Sequence, residues 1–363
     1  MQMNLAHDLV SVIIPVYDAD IQLVDALVSA QEQTHRNVEI ICVNDGSTDD
    51  SLAIMRLFAE EDERIRIIDK PNAGYGAAMN DGLDAATGTW VAILEPDDWM
   101  DAGMLEEMLA FASRLREVPD VIKCPYWLVR DGDEFGQERV HCTYKGLVHP
   151  RQQPFSLAEA PELFAHHPSI WSALYRRKHL EDAYIRFPEY PGSGWADNRF
   201  LAETLVQTER IAYLDKPFYN YRGSSAEEEA AFARRSPVLP FERWEEMTDI
   251  LDREDVCDEG IWRAHIRRGF TYLAQVEGAG ALDATGVRDA IARMFSRMDE
   301  RIVLSDAAIS PAHRRMYAQA LGIECIKPNH AAYASHLARE AIRRARVNGV
   351  KATLADAKRF LGA

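Results

Sequence analysis

Residues 38–61 read VEIICVNDGSTDDSLAIMRLFAEE, and this stretch decides the fold because a strand, a turn and a helix follow one another in it. The run VEIICV is almost wholly apolar, which predicts a strand buried on both faces. The segment NDGSTD consists of turn-forming residues, and Ser47 or Thr48 can cap a helix that runs to about Glu61. Repeated along a chain, such units predict a parallel sheet covered by helices.

The same unit recurs on both sides of this stretch. Apolar, β-prone runs predict further strands at 9–16, 65–69, 90–94 and 120–129. Helical spacing of apolar residues predicts further helices at 21–33, 74–88 and 104–115. We therefore expect an α/β fold with a mostly parallel, Rossmann-like sheet flanked by helices, whose ligands bind beyond the carboxyl ends of the strands.

The pattern changes along the chain, and this change sets the expected domains. Strand and helix signals alternate regularly over 8–130, whereas 131–225 is richer in His, Trp, Tyr and Pro and has fewer periodic runs. After the acidic run AEEEAAFARR the chain is mostly helical. We expect one α/β domain over 8–225, made of these two halves, and an α-helical C-terminal region over 226–363.

The composition is that of a globular protein with an acidic surface. Hydrophobic residues make up 47% of the 363 residues, and the formal net charge of -17 argues against broad nucleic-acid binding. Five cysteines without a CxxC spacing indicate reduced thiols, with Cys42 and Cys124 inside apolar runs. The start MQMNLAHDLV lacks the features of a signal peptide, and no apolar run is long enough to span a bilayer. We expect a cytoplasmic protein, soluble or peripheral at the inner face of the cell membrane.

The C-terminal residues reverse the sign of the charge. From Lys327 onward there are eight Lys or Arg residues and two acidic residues, a net charge of about +6 in an otherwise acidic chain. Such a tail can face anionic lipids, although its apolar face consists mainly of alanines. Helical tails of this kind also form dimers, so peripheral membrane contact and a homodimer both remain open.

Polar residues stand where the predicted strands end. The four strand-to-helix junctions read PVYD at 15–18, NDGSTD at 44–49, NAGYG at 72–76 and EPDD at 95–98. Because the carboxyl ends of parallel strands share one edge of a sheet, these junctions predict one polar ligand site. A dinucleotide or P-loop site is excluded, since no G-x-G-x-x-G follows the first strand and no Walker A lysine motif occurs.

Taken in order, these segments resemble the family 2 glycosyltransferases with the GT-A fold. The similar segments are VSVIIPVYD at 10–18, VEIICVNDGSTDDS at 38–51, NAGYGAAMNDGLDAATGTWVAILEPDDW at 72–99, SIWSALYRRKHL at 169–180 and GWADNRFLAETLVQTERIAYLDKPFYNYR at 194–222. The resemblance implies an inverting, metal-dependent enzyme of bacterial surface polysaccharide synthesis. Such an enzyme moves a sugar from a nucleotide-diphospho-sugar, usually UDP-linked, to a hydroxyl of a glycan or lipid-linked acceptor. The donor would lie in the first half of the α/β domain and the acceptor in the second.

The resemblance also implies which residues hold the donor nucleotide. Asp45 would accept a hydrogen bond from the uracil N3–H, and Pro15 and Tyr17 would form a shelf under the base. The full set of implied nucleotide contacts is Pro15, Val16, Tyr17, Asp45, Gly46, Asn72, Gly74 and Asp97.

A divalent cation, Mn²⁺ or Mg²⁺, is the implied cofactor. A diphosphate leaving group carries charge that must be neutralised, few basic residues lie near the four junctions, and hard cations prefer carboxylate oxygens. The candidate metal ligands Glu95, Asp97 and Asp98 occupy the D-x-D position of the family, where Glu95 replaces the usual first Asp. We expect Asp97 or Asp98 to bind the metal directly and the other to bind the ribose. Whether Glu95 touches the metal directly, through water or not at all stays open.

Inverting transfer also needs a carboxylate that deprotonates the acceptor hydroxyl. The E-D pair of the family corresponds to Ala196 and Asp197 here, so the resemblance implies Asp197 as the base without its usual acidic neighbour. Trp195 is expected to stack on the acceptor sugar. Two alternatives remain. One is a sugar-nucleotide nucleotidyltransferase, which would need a Gly- and Arg/Lys-rich loop after the first strand, and this loop is missing. The other is a catalytically inactive carbohydrate-binding module, which is favoured only by the departures at Glu95 and Ala196.

Overall fold

The computed structural model describes residues 4–130, 138–192, 194–324 and 329–362, with side chains described up to residue 350 and at 352–353. Cys325 and Lys327, and the side chains of Lys351, Lys358 and Arg359, therefore lie outside the described part of the chain. Contacts divide the chain into two compact units, 1–160 with 168–223 and 161–167 with 224–363. The predicted domain bounds, 8–225 and 226–363, stay a prediction.

Eleven strands form in the described residues, all of them in the first unit. They are β1 (Val10–Val16), β2 (Val38–Asp45), β3 (Ile65–Lys70), β4 (Trp90–Ile93), β5 (Trp99–Met100), β6 (Val121–Lys123), β7 (Tyr126–Arg130), β8 (Glu138–His141), β9 (Ala173–Arg176), β10 (Ile211–Tyr213) and β11 (Tyr219–Arg222). The main sheet has the order β10-β6-β9-β4-β1-β2-β3, and every neighbouring pair is parallel except the two made by β9. The predicted α/β class with a mostly parallel sheet is confirmed.

A second sheet has the order β5-β11-β7-β8. The single strand predicted at 120–129 is wrong, because this stretch forms β6 in the main sheet and β7 in the second sheet. The break falls at Cys124 and Pro125, and a proline has no amide hydrogen for the ladder of a central strand. Cys42 and Cys124 are fully buried, as their apolar surroundings predict.

Helices connect the strands of the first unit and make up the second. They are α1 (Leu23–Gln31), α2 (Ser51–Glu61), α3 (Tyr75–Ala85), α4 (Met104–Ala112), α5 (Glu162–Ala165), α6 (Arg177–Asp182), α7 (Ala196–Val206), α8 (Ala226–Arg235), α9 (Leu239–Arg253), α10 (Glu259–Gly278), α11 (Val287–Ser296), α12 (Glu300–Ser305), α13 (Pro311–Leu321) and α14 (His330–Gly362). The predicted capping of α2 by Ser47 or Thr48 is wrong, because α2 begins at Ser51 and Asp50 precedes it without a side-chain cap.

The second unit is helical and has its own core. Trp244 of α9 stacks on His265 of α10 with ring centroids 4.4 Å apart, and its indole N–H donates to the His265 carbonyl at 2.8 Å. Arg268 of α10 donates to the carbonyl of Phe164, which ties the short helix α5 into this unit. In the portion of the chain that is described, none of the helices is both apolar enough and long enough to cross a bilayer.

Candidate active site

The site lies at one edge of the main sheet. Strands β4, β1, β2 and β3 are parallel neighbours in that order, so their carboxyl ends point the same way. The junctions at 15–18, 44–49, 72–76 and 95–98 directly follow these four ends. The structure therefore brings together the segments that the sequence predicted as one polar site.

The first two junctions are joined by hydrogen bonds between their loops. The amide of Thr48 donates to Asp18 Oδ1 at 2.6 Å, and the amide of Asp18 donates to Ser47 Oγ at 3.2 Å. Asp49 Oδ2 accepts from the amide of Asp20 at 3.0 Å. These bonds explain why Ser47 and Thr48 do not cap α2: their polar groups face the loop after β1 instead.

The predicted shelf for the nucleotide base has one exposed member. Pro15 and Val16 are buried in β1, whereas the Tyr17 side chain is 52% exposed. Among these three residues, the Tyr17 ring is thus the surface on which a base can stack. Gly46 has φ +74°, and a Cβ there would lie 2.7 Å from the amide nitrogen of Asn72, so only glycine allows the two loops to approach this closely.

Asp45, at the end of β2, holds the loop that follows β3. Its Oδ1 accepts from the amide of Ala73 at 2.9 Å and its Oδ2 from the amide of Gly74 at 2.8 Å. Lys70 Nζ lies 3.5 Å from Asp45 Oδ1. The carboxylate is buried, but an oxygen that accepts one amide hydrogen retains a second lone pair. Asp45 therefore shapes the loop and keeps acceptor capacity for a ligand.

Glu95 is held between two tyrosines. The Tyr75 hydroxyl donates to Glu95 Oε1 at 2.7 Å, and the Glu95 amide donates to the Tyr219 hydroxyl at 3.0 Å. Desolvation of this half-buried carboxylate raises its pKa to about 8; the charges of Asp97 and Asp197 add to the rise and the Tyr75 hydrogen bond opposes it.

Asp97 and Asp98 have different surroundings although they are neighbours in the chain. Asp98 is fully buried, and its Oδ1 accepts from the Arg222 amide at 2.8 Å. Asp98 Oδ2 is buried and has no hydrogen-bond partner among the described residues. The Tyr219 hydroxyl nevertheless lies near enough to lower the pKa of Asp98. Burial and the charge of Asp97 outweigh this effect and raise the pKa of Asp98 well above its usual range. Asp97, in contrast, is exposed.

Asp197 lies in the first turn of α7, in the same unit. Its Oδ1 accepts from the Asn198 amide at 2.9 Å and from the Asn198 side chain at 3.2 Å. The segment that leads to Asp197 is bonded to Tyr75, whose amide donates to the Gly192 carbonyl at 3.0 Å, and the Tyr75 hydroxyl donates in turn to Glu95 after β4. Trp195 precedes α7 in a left-handed conformation with φ +54° and is half-buried. The structure therefore brings the predicted base together with the carboxylates at 95–98.

The segment before α7 is packed against the start of α3. A Cβ at Gly76 would lie 2.0 Å from the carbonyl oxygen of Pro188, and one at Gly74, which has φ +93°, would lie 2.5 Å from that of Tyr190. Asn80 Nδ2 donates to the Phe187 carbonyl at 2.9 Å, and Asn80 Oδ1 accepts from the Phe187 amide at 3.0 Å. The glycines and Asn80 thus let one helix support both the loop after β3 and the chain that leads to Asp197.

The fit of a divalent cation depends on one accessible carboxylate. No group of three His, Cys, Asp or Glu side chains is arranged to hold an ion anywhere in the residues the structure describes. Asp98 Oδ1 and Glu95 Oε1 already accept hydrogen bonds from the protein, whereas the Asp97 side chain is exposed. Mg²⁺ in phosphate-binding sites is commonly held by one or two carboxylates together with substrate phosphates. The donor set therefore fits a cation that arrives with a diphosphate, held chiefly by Asp97.

Sequence reasoning missed several residues that organise this site. Tyr75 and Tyr219 hold Glu95, and Arg222 donates through Nε to the Asp97 carbonyl at 2.6 Å. Trp171 stacks on Tyr219 with centroids 4.2 Å apart. These residues lie inside segments that resemble the family, but their partners are distant in sequence, so no local pattern could assign the contacts.

An open α/β sheet with carboxylates at its carboxyl edge and a small second sheet beside it defines a GT-A type domain. Residues 11–183, just under half of the chain, match the family model described as Glycosyl transferase family 2, and the similarity lies in this segment. A curated relative is Glycosyltransferase GlyA from Streptococcus pneumoniae serotype 4, which is 30% identical over 60% of this chain and 31% of its own length. The chain matches between 31% and 62% of the length of several such relatives.

Solved structures with the same fold are similar over most of the chain. TarS 1–349 from S. aureus, in complex with UDP-GlcNAc, has a TM-score of 0.65 at 19% identity and covers 86% of this chain and 87% of its own. The mannosyltransferase PcManGT from Pyrobaculum calidifontis, in complex with GDP-Man and Mn²⁺, has a TM-score of 0.52 at 17% identity and covers 86% and 85%. At these identities the likeness concerns the fold.

Proposed function

We propose that the protein is an inverting, metal-dependent glycosyltransferase. It moves a hexosyl or N-acetylhexosaminyl group from a UDP-linked donor to a hydroxyl of a glycan or lipid-linked saccharide in bacterial surface polysaccharide synthesis. The observation that carries the proposal is that one residue, Tyr75, contacts both parts of the site: its hydroxyl donates to Glu95, which begins the EPDD turn, and its amide donates to the Gly192 carbonyl in the segment that leads to Asp197. A base and a diphosphate-binding turn on one side of a sheet are what direct displacement at an anomeric carbon requires.

The donor nucleotide is proposed to bind across the first three junctions. Tyr17 offers an exposed ring for the base, and Asp45 retains lone pairs for the uracil N3–H. Asn72 and Gly74 lie in the loop that Asp45 holds, and Gly46 keeps that loop close to the end of β2. Main-chain groups of Pro15 and Val16 complete the set, since their side chains are buried.

A divalent cation, when bound, would neutralise the charge that develops on the diphosphate leaving group. Asp97 is proposed as its direct ligand because its carboxylate is exposed. Asp98 is proposed to hold the turn through Arg222, which donates to its Oδ1, while its buried Oδ2 has no hydrogen-bond partner among the described residues. Glu95 is proposed to act through the turn, since the Tyr75 hydroxyl holds its side chain and the Tyr219 hydroxyl holds its amide.

Asp197 is proposed to accept the proton of the acceptor hydroxyl as that oxygen attacks. The Asn198 amide and side chain fix one of its oxygens, so its orientation is set before the acceptor binds. Trp195, half-buried next to it, is proposed to stack on the acceptor sugar. Direct attack on an α-linked donor would give a β-linked product.

The similar proteins support this proposal without extending it. GlyA is named a glycosyltransferase, TarS was solved with UDP-GlcNAc, and PcManGT with GDP-Man and Mn²⁺. A nucleotide-sugar donor and a divalent cation are thus compatible with this fold.

The test is a panel of UDP- and GDP-sugars measured by thermal shift with Mn²⁺ and again with EDTA, since a ligand of the native state raises the melting temperature. The donor with the largest Mn²⁺-dependent shift is then incubated with saccharide acceptors, and the anomeric configuration of the product is read by NMR. A retained configuration contradicts the inverting mechanism, and shifts unchanged by EDTA contradict the metal. Pyrophosphate exchange without glycoside formation would indicate a nucleotidyltransferase, and saccharide binding without any turnover an inactive carbohydrate-binding module.

A second proposal concerns the basic tail, whose described part is α14. Arg339 and Arg346 are exposed there, as are Leu337 and Ile342 at 48% and 55%. We propose that this helix contacts anionic lipids electrostatically, at the inner face of the membrane. Binding of the full chain to phosphatidylserine vesicles at low salt, lost at high salt, is the expected result. No binding at low salt contradicts it, and a concentration-dependent dimer in solution would favour the homodimer instead.

A further inference from the structure

Tyr75 contacts both sides of the proposed reaction. Its hydroxyl donates to Glu95 Oε1 at 2.7 Å, which fixes the residue that opens the EPDD turn. Its amide donates to the carbonyl of Gly192 at 3.0 Å, in the segment that leads to Asp197. Its ring packs edge-on against Phe187 with centroids 5.8 Å apart.

Each of these contacts is itself supported. Phe187 stacks on Phe200 of α7 at 4.1 Å, and Asn80, one turn or so after Tyr75 in α3, bonds both main-chain groups of Phe187. On the other side, the Tyr219 hydroxyl accepts a hydrogen bond from the Glu95 amide, so the main chain and the side chain of Glu95 are both held. Tyr75 therefore contacts a packed aromatic group on one side and a fixed turn on the other.

We propose that Tyr75 and Glu95 form a positioning pair that sets the EPDD turn and the base Asp197 in register with each other. Neither residue contacts the reacting atoms: the pair acts by holding the turn that carries Asp97 at a fixed distance from α7. This inference rests on the proposed function, because it assigns a purpose to the distance between donor and base. It also accounts for a glutamate at position 95, since the additional methylene of glutamate over aspartate extends the carboxylate to reach the phenol.

The test is a cycle of Tyr75→Phe, Glu95→Met and the double variant, in which methionine keeps the length of the side chain without the oxygen acceptor, with Tyr184→Phe as the matched control because Tyr184 is 90% exposed. Steady-state kcat and donor KM are measured with the donor that the thermal-shift panel identifies. Tyr75→Phe is expected to lower kcat about tenfold or more with donor KM changed less than threefold, because a misplacement of about 1 Å costs rate rather than affinity. The kcat of the double variant should lie within about twofold of the kcat of the poorer single variant, because each single change already removes the same interaction.

The outcomes separate the two proposals. A wild-type protein that transfers no sugar overturns both. A wild-type enzyme that transfers sugar, while Tyr75→Phe keeps kcat within twofold of it, overturns the positioning pair alone, even if the melting temperature falls. Additive losses of kcat in the double variant overturn it as well, since independent residues would then be responsible.

Discussion

The Arg222 side chain donates through Nε to the main-chain oxygen of Asp97 at 2.6 Å, and the guanidinium carbon lies 4.7 Å from the centroid of the Trp99 ring. This arginine, in the last strand of the first unit, thereby fixes the conformation of a turn more than a hundred residues earlier in the chain. Hydrogen bonds from a charged donor are worth about 1.5–3 kcal/mol. The main-chain conformation at Asp97 therefore depends on Arg222.

Replacing Arg222 by alanine is expected to weaken Mn²⁺-dependent donor binding about tenfold, which corresponds to about 1.4 kcal/mol. Titration calorimetry with donor and Mn²⁺ measures it. Arg139→Ala is the control, because Arg139 also lies over Trp99, at 5.8 Å, but its side chain is 44% exposed and its ion pair is with Asp101, outside the EPDD turn. Equal affinities of the two variants would contradict this role for Arg222.

Asp97 and Asp98 should differ in their contribution to metal binding. Asp97→Asn is expected to weaken Mn²⁺ binding in the presence of UDP by about tenfold or more, because an amide oxygen is a poorer ligand for a hard cation than a carboxylate. Asp98→Asn should change it less, since Asp98 is buried and its Oδ1 already accepts a hydrogen bond from the Arg222 amide. Isothermal titration at pH 7 separates the two. The reverse order of effects would make Asp98 the direct ligand.

Binding of the cation should release protons near neutral pH. Glu95 has a pKa of about 8 in the cation-free protein, and a cation at Asp97 lowers it by direct charge interaction. The cation-free protein then binds more protons than the cation-bound protein. The affinity for the cation should therefore rise with pH, by up to about tenfold per pH unit below pH 8. Calorimetry at pH 7 in PIPES and in Tris should give binding enthalpies that differ with the buffer ionisation enthalpy. Identical enthalpies would refute the linkage.

The fold was predictable from local sequence where strands are continuous and apolar. The predicted bounds of the first two strands lie within two residues of β1 and β2, because the β-branched runs VSVIIPV and VEIICVND strongly favour a strand. The stretch at 120–129 failed, because its division between two sheets depends on pairing with β9 and β11, far along the chain. Apolar periodicity carries no information about which partner a strand will choose.

The candidate site shows the same limit. The positions of the polar junctions follow from the parallel strands, so their assembly at one edge could be anticipated. The partners of Glu95 could not, because Tyr75 and Tyr219 approach it only after α3 and β11 have packed around β4. The inclusion of 161–167 in the helical unit was also invisible in the sequence, since it depends on Arg268 reaching the Phe164 carbonyl.

Acid should weaken the fold through Asp62, which follows α2. Hydrogen bonds from the Arg64 side chain, at 2.9 and 2.7 Å, lower the pKa of Asp62 to about 2. A lowered carboxyl pKa stabilises the folded state above the unfolded value of about 3.9, and this contribution is lost as the pH falls from there to about 2. Asp62→Asn should therefore cost about 1–2 kcal/mol at pH 7. Urea unfolding at pH 7 and pH 2 checks this; an equal cost at both values would contradict it.

The central claim is that Asp197 is the base, and single-turnover transfer by Asp197→Asn tests it most directly. The control is Asp182→Asn, the same change at a carboxylate paired with Lys178 on the surface of α6. The transfer rate of Asp197→Asn is expected to be lower by about 10²–10⁴-fold, with donor affinity within threefold of the wild type and the control unaffected. A transfer rate of Asp197→Asn within a few-fold of the wild type would contradict the claim.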